Sequence, residues 1–139
     1  MKKYNLFLDD FRVPSDCSRY MTNPEFYLLN KWEIVRNYDE FVKFIEKNGL
    51  PEVISFDHDL ADEHYSQDMY AGNEVYDENY KNFTEKTGYD CTKWLVDYCM
   101  DRNIDVPDYM VHSKNPAGAK NIWSYLENYR KWFSNQKNN

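Results

Sequence analysis

The sequence predicts an α/β fold: a parallel sheet of about four strands in the flavodoxin-like order 2-1-3-4, with a polar insert after the third strand. Short apolar runs alternate with helix-periodic segments in the order strand, loop, strand, helix, strand, insert and helix, strand, helix. Three of those runs stop abruptly in polar groups, at Asp9-Asp10, Asp57-His58-Asp59 and His112-Ser113, as strands do on leaving a sheet. A chain of 139 residues fits a single domain spanning 1–139.

The first strand is Asn5 to Leu8, ended by Asp9-Asp10, and after a loop Trp32 to Arg36 reads as the second. Asn37 caps a helix, with Glu40 placed to complete a capping box and Phe41, Phe44 and Ile45 forming its apolar stripe. Asn48-Gly49 and then Pro51 stop it. Val53 to Phe56 is the third strand. From 61 to 86 the chain turns polar and acidic, with Tyr65, Tyr70, Tyr76 and Tyr80 at no fixed period, which reads as an insert over the surface or a lid. Thr87 and Asp90 make a second capping box, and Cys91, Trp94, Leu95, Tyr98 and Cys99 follow the spacing of a helix packed on one face. Tyr109 to Val111 is the fourth strand. Asn115-Pro116 then supplies an N-cap and a proline at the first helical position, and Ala119, Ile122, Trp123, Leu126 and Phe133 are expected to face the core.

Composition narrows the function classes. Aromatic residues make up 18% of the chain while Gly 4 and Pro 5 are few, which excludes a disordered or low-complexity chain. The formal net charge of −7 argues against duplex DNA and anionic membranes as partners, since both repel an acidic surface at long range. Cys17, Cys91 and Cys99 form neither a disulfide framework nor a zinc motif, so a reducing cytoplasm is the expected location. No signal peptide or membrane span is expected either.

In the order 2-1-3-4 the first, third and fourth strands are neighbours, and their carboxyl ends meet beside the switch point where such sheets bind ligands. Asp9, Asp10, Asp57, His58, Asp59, His112 and Ser113 then share one rim. Carboxylates gathered this closely repel one another unless a cation sits among them. Hard oxygen ligands favour Mg²⁺ or Mn²⁺, although the two histidines would also suit a transition metal. The expected ligands are Asp9, Asp10, Asp57 and Asp59. Across the rim, Ser113, Lys114, Asn115 and Gly118 combine a hydroxyl, a cation and a helix N-terminus, which describes an anion pocket. Arg12 either contacts phosphate or pairs with an aspartate. His112 and His58 are candidate general acids or bases, and His64 in the insert is expected at the surface.

Four segments resemble the cyclic-phosphate processing receiver-like domains of bacteria and their phages: Leu6-Phe7-Leu8-Asp9-Asp10-Phe11-Arg12-Val13-Pro14, Ile54-Ser55-Phe56-Asp57-His58-Asp59-Leu60, Thr87-Gly88-Tyr89-Asp90, and Val111-His112-Ser113-Lys114-Asn115-Pro116-Ala117-Gly118. The resemblance runs in order through nearly the whole chain and implies a modified response-regulator receiver. It places Asp9 and Asp10 at the receiver's acidic metal-binding pair, Asp57 at its phosphoacceptor position and Ser113 at the hydroxyl ending its fourth strand. No counterpart of a receiver's fifth strand and its terminal lysine is expected in these residues, and Lys114 does not stand at that place. His58 and His112 are not required by a phosphorelay, which favours a hydrolytic or ligand-binding site over aspartyl-phosphate signalling.

The resulting expectation is a metal-dependent phosphoesterase acting on a cyclic phosphate, either a 2′,3′-cyclic phosphate end or a cyclic nucleotide. Asp9, Asp10, Asp57 and Asp59 would hold the metal, and His112, Asp57 and His58 would do the chemistry. Ser113, Lys114, Asn115, Gly118 and Arg12 would hold the phosphate, with aromatic residues of the insert stacking on a base. The alternative is a non-catalytic receiver-like module that binds a cyclic nucleotide or a protein partner.

Overall fold

A computed structural model describes residues 3–60 and 86–137. The predicted insert lies outside these residues except for Lys86, as do His64 and the four insert tyrosines. The strands are β1 (Asn5–Leu8), β2 (Glu33–Val35), β3 (Val53–Phe56) and β4 (Asp108–Val111), all parallel, in the order β2-β1-β3-β4. This is the predicted receiver-like sheet. β2 is shorter than expected: Trp32 leaves the sheet to pack against Phe7, Phe26 and Tyr27.

The link from β1 to β2 is the main departure from the sequence reading. It holds two short helices, α1 (Pro14–Cys17) and α2 (Pro24–Leu29), each with proline in its first turn. At four and six residues they are too short to show an apolar period, so only the prolines signalled them. Then come α3 (Tyr38–Asn48), α4 (Gly88–Asp101) and α5 (Pro116–Lys137).

The predicted caps form. Asn37 accepts from the Glu40 amide and Asn115 from the Gly118 amide, while Thr87 and Asp90 complete a capping box. Glu40 returns its bond one residue early, to the Arg36 amide, so the box around α3 is offset. Gly49 ends α3 at φ 83°, a left-handed conformation that glycine adopts without a Cβ clash.

Alternation along the strands separates two cores. Leu6, Leu8, Ile54 and Phe56 pack with Phe41 and Ile45 of α3, Leu95 of α4, and Ile122 and Leu126 of α5. On the opposite face Phe7 is covered by Cys17 and Tyr27, with Tyr20, Met21 and Trp32 around them. Trp123, expected in the core, is 48% exposed and rests edge-on against Tyr109. No described helix is long and apolar enough to cross a membrane.

All three cysteines are free and buried, and burial pushes the Cys17 thiol up to about 11 and the Cys99 thiol up to about 12. Cys91 and Cys99 should therefore react slowly with a thiol reagent in native protein and promptly in denaturant, because the thiolate is the reactive form. Rapid native modification of both would contradict their place in the core.

Candidate functional site

The strand register builds the site. Leu8 pairs with Phe56, and Phe56 with Val111, so the residues that follow stand side by side where the sheet ends. The ladder continues one step further, with the Asp57 amide donating to Leu8 O and the His112 amide to Phe56 O. Alternation directs Asp9, Asp57 and His112 to the Phe7 face, the one against which Cys17 of α1 and Tyr27 of α2 pack. All three are buried, and one ligand atom from each lies within 4.8 Å of the others.

The two carboxylates have opposite electrostatic environments. Asp9 Oδ1 accepts from the amides of Phe11 and Arg12 at 3.0 and 2.8 Å. Its Oδ2 lies 2.9 Å from His112 Nε2 and accepts from Arg12 Nη1 at 3.3 Å. Burial favours protonation of Asp9, yet His112 and the two amides outweigh it and bring the group down to about 2. Among the described residues Asp57 accepts one hydrogen bond, from the His58 amide at 2.9 Å on Oδ1, and its buried Oδ2 accepts none. Burial first, and then the charge on Asp9, push Asp57 up to about 8 against the opposing pull of that amide and Arg12. The surroundings therefore favour the charge on Asp9 and the proton on Asp57. Burial also lowers His112, with Asp9 opposing.

Arg12 does pair with aspartate, its Nη1 lying 3.8 Å from Asp57 Oδ2 as well as bonding Asp9. Its guanidinium lies over Phe11, 4.8 Å from the ring centroid, and Lys114 Nζ sits 4.7 Å from that of Tyr20. Arg36 donates to the carbonyls of Asp9 and Arg12 and so fixes the turn after β1; the sequence reading missed it.

His58 and Asp59 turn toward α5. His58 Nδ1 lies 3.1 Å from Asp59 Oδ1, and Asn115 Nδ2 donates to Asp59 Oδ2 at 3.5 Å. Asp59 and Asp10 are thus outside the Asp9, Asp57 and His112 group, although Asp10 contributes to raising Asp57. At the expected anion pocket, the Asn115 amide donates to Ser113 Oγ and the Gly118 amide to Asn115 Oδ1, so both are already engaged locally. A Cβ on Gly118 would stand 2.4 Å from the His58 ring: this glycine lets α5 close on His58. The expectation that His112 donates a proton to substrate meets a side chain with no exposure, its Nδ1 only 2.7 Å from Ser55 Oγ.

Gly88 also went unassigned in the sequence reading. A Cβ there would stand 1.8 Å from the Asp57 carbonyl oxygen, so α4 starts against the site's backbone. Gly88→Ala should cost at least about 2 kcal/mol, by analogy with overpacked cores, and should show as a lowered urea midpoint. An unchanged midpoint would mean that the approach relaxes freely.

The buried Oδ2 of Asp57 has no hydrogen bond among the described residues and Arg12 only at 3.8 Å, so it fits a bound cation, which would satisfy that atom and favour the ionised form. The family model of the cyclic-phosphate processing receiver domain matches residues 4–128. No curated protein and no solved structure gave a significant match.

Proposed function

This chain belongs to the cyclic-phosphate processing receiver domain family, and from that premise we propose that it is a metal-dependent phosphoesterase acting on a 2′,3′-cyclic phosphate end or a cyclic nucleotide. The observation that carries the reading is the buried Oδ2 of Asp57, which has no hydrogen bond among the described residues and lies in a buried cluster with Asp9 and His112. Asp57, with Asp9 and the neighbouring Asp10, would hold Mg²⁺ or Mn²⁺. When bound, such an ion offsets phosphate charge and lowers the pKa of water.

The chain's own groups have separate tasks. Lys114 and the Ser113 hydroxyl bind nonbridging oxygens at the start of α5. Arg12, held over the Asp9–Asp57 pair, orients the ester toward them. His58 is the imidazole that moves a proton at the leaving oxygen, through Nε2, because Asp59 orients its Nδ1 and the ring lies partly exposed at the rim. Free, buried cysteines accord with work in a reducing cytoplasm.

The test is a panel of cyclic phosphates with Mg²⁺ or Mn²⁺. The metal should raise stability by about 2.7 kcal/mol at a hundredfold excess over its Kd. Turnover should require the metal, vanish in Asp57→Asn and fall by about 10²-fold in His58→Gln with KM little changed. Tight binding of a cyclic phosphate with no turnover under any metal would instead establish the non-catalytic module.

A further inference from the structure

Behind Asp9 runs a line of buried polar groups that the proposed chemistry does not use. His112 Nε2 lies 2.9 Å from Asp9 Oδ2, His112 Nδ1 2.7 Å from Ser55 Oγ, and Ser55 Oγ 2.8 Å from the Tyr27 hydroxyl. All four side chains are at most 2% exposed. The His112 ring stacks on Phe7 at 4.5 Å and 4°, and meets Tyr27 edge-on. Its plane is fixed, so the hydrogen bonds are left to decide which nitrogen carries the proton.

Only one direction along the line satisfies every group. If Nδ1 carried the proton, it would donate to Ser55 and Ser55 to Tyr27, leaving the Tyr27 proton without an acceptor among the described residues. Nε2 would then present a lone pair to the Asp9 carboxylate, acceptor against acceptor. In the opposite direction Tyr27 donates to Ser55, Ser55 to Nδ1, and Nε2–H to Asp9. A buried polar group left unpaired bears its full desolvation penalty, which separates the two arrangements decisively.

We propose that the Tyr27 and Ser55 hydroxyls are positioning residues that hold His112 in its Nε2–H tautomer, making it a donor to Asp9 and withholding it from the metal. The site is then one of carboxylate oxygens, suited better to a hard divalent cation than to zinc. This deepens the metal-centre reading and rests on it for the role of the cation, though the tautomer is a property of the protein alone.

The experiment is a long-range ¹H–¹⁵N spectrum of the histidine-labelled chain, first without metal and then with Zn²⁺, with His58→Gln and His64→Gln assigning the other rings. His112 is expected to show a protonated Nε2 and a bare Nδ1, both unchanged by Zn²⁺. A protonated Nδ1, or a zinc-bound Nε2, overturns the proposal. In a second arm, Ser55→Ala should weaken Mg²⁺ binding by about tenfold and Ser55→Thr, which keeps the hydroxyl, should restore it. Mg²⁺ affinity unchanged in Ser55→Ala overturns the link from relay to cation. If the unmutated chain binds no Mg²⁺, the metal-centre reading and the cation link fail together, while the metal-free spectrum still decides the tautomer.

Discussion

Asp57→Asn is expected to make the metal-free protein more stable, with the gain growing as pH rises from about 4 to about 8. The carboxyl of Asp57 is pushed from its ordinary 3.8 up to about 8, by burial and then by the charge on Asp9. A folded-state pKa raised in this way means that the native chain binds this proton more tightly than the unfolded chain does. The associated stability is fully present below about pH 4 and is lost as pH climbs through 8. Asparagine carries no charge at any pH and keeps the oxygen that accepts the His58 amide. Each pKa unit corresponds to about 1.4 kcal/mol, so the variant should exceed the parent by at least about 2 kcal/mol at pH 8, in urea melts without divalent metal. The same substitution should remove the stabilising response to Mg²⁺. A variant less stable than the parent at pH 8 would refute this account of Asp57.

At Asp9 the same isosteric change should act in the opposite direction. Its two oxygens receive two backbone amides and the Arg12 guanidinium, and Oδ2 lies against His112 Nε2. In Asp9→Asn, an amide nitrogen replaces one acceptor in a fully buried position, leaving Arg12 or His112 facing a donor. Breaking a buried charged pair from one side costs about 3–5 kcal/mol. The pH dependence carries the sign. With its pKa lowered to about 2, Asp9 contributes stability that is present above about pH 4 and lost as pH falls through 2. Equilibrium unfolding at pH 7 should show the loss, and the acid limb of the parent's stability curve should flatten in the variant. Equal stability of the two proteins at pH 7 would show that the bonds around Asp9 contribute nothing net.

Neighbouring aspartates with opposite stability effects illustrate what a sequence conveys about a site. The residues themselves fixed much of the fold. Apolar runs ending in Asp9, Asp57 and His112 marked three strands, and Asn37, Thr87 and Asn115 marked three helix starts, because both signals are local in the chain. The alternation of elements implied a parallel sheet, and its order β2-β1-β3-β4 is the flavodoxin-like one expected for it. Helices α1 and α2 did not, since pieces of four and six residues carry no period and form by packing on Phe7. The placing of Asp10 and Asp59 outside the inner cluster, and the enclosure of His112, were equally out of reach of spacing.

The sequence by itself determined which chemistry-bearing residues stand at the carboxyl ends of the strands. Only the tertiary structure decided their states. Ser55 reaches His112 across 57 positions of chain, Tyr27 reaches Ser55 across 28, and Arg36 reaches the Asp9 carbonyl across 27. Whether a carboxyl is ionised, and which imidazole nitrogen carries its proton, depends on the donors and the burial such distant segments supply. Those are sums over space, and the order of residues along the chain does not contain them.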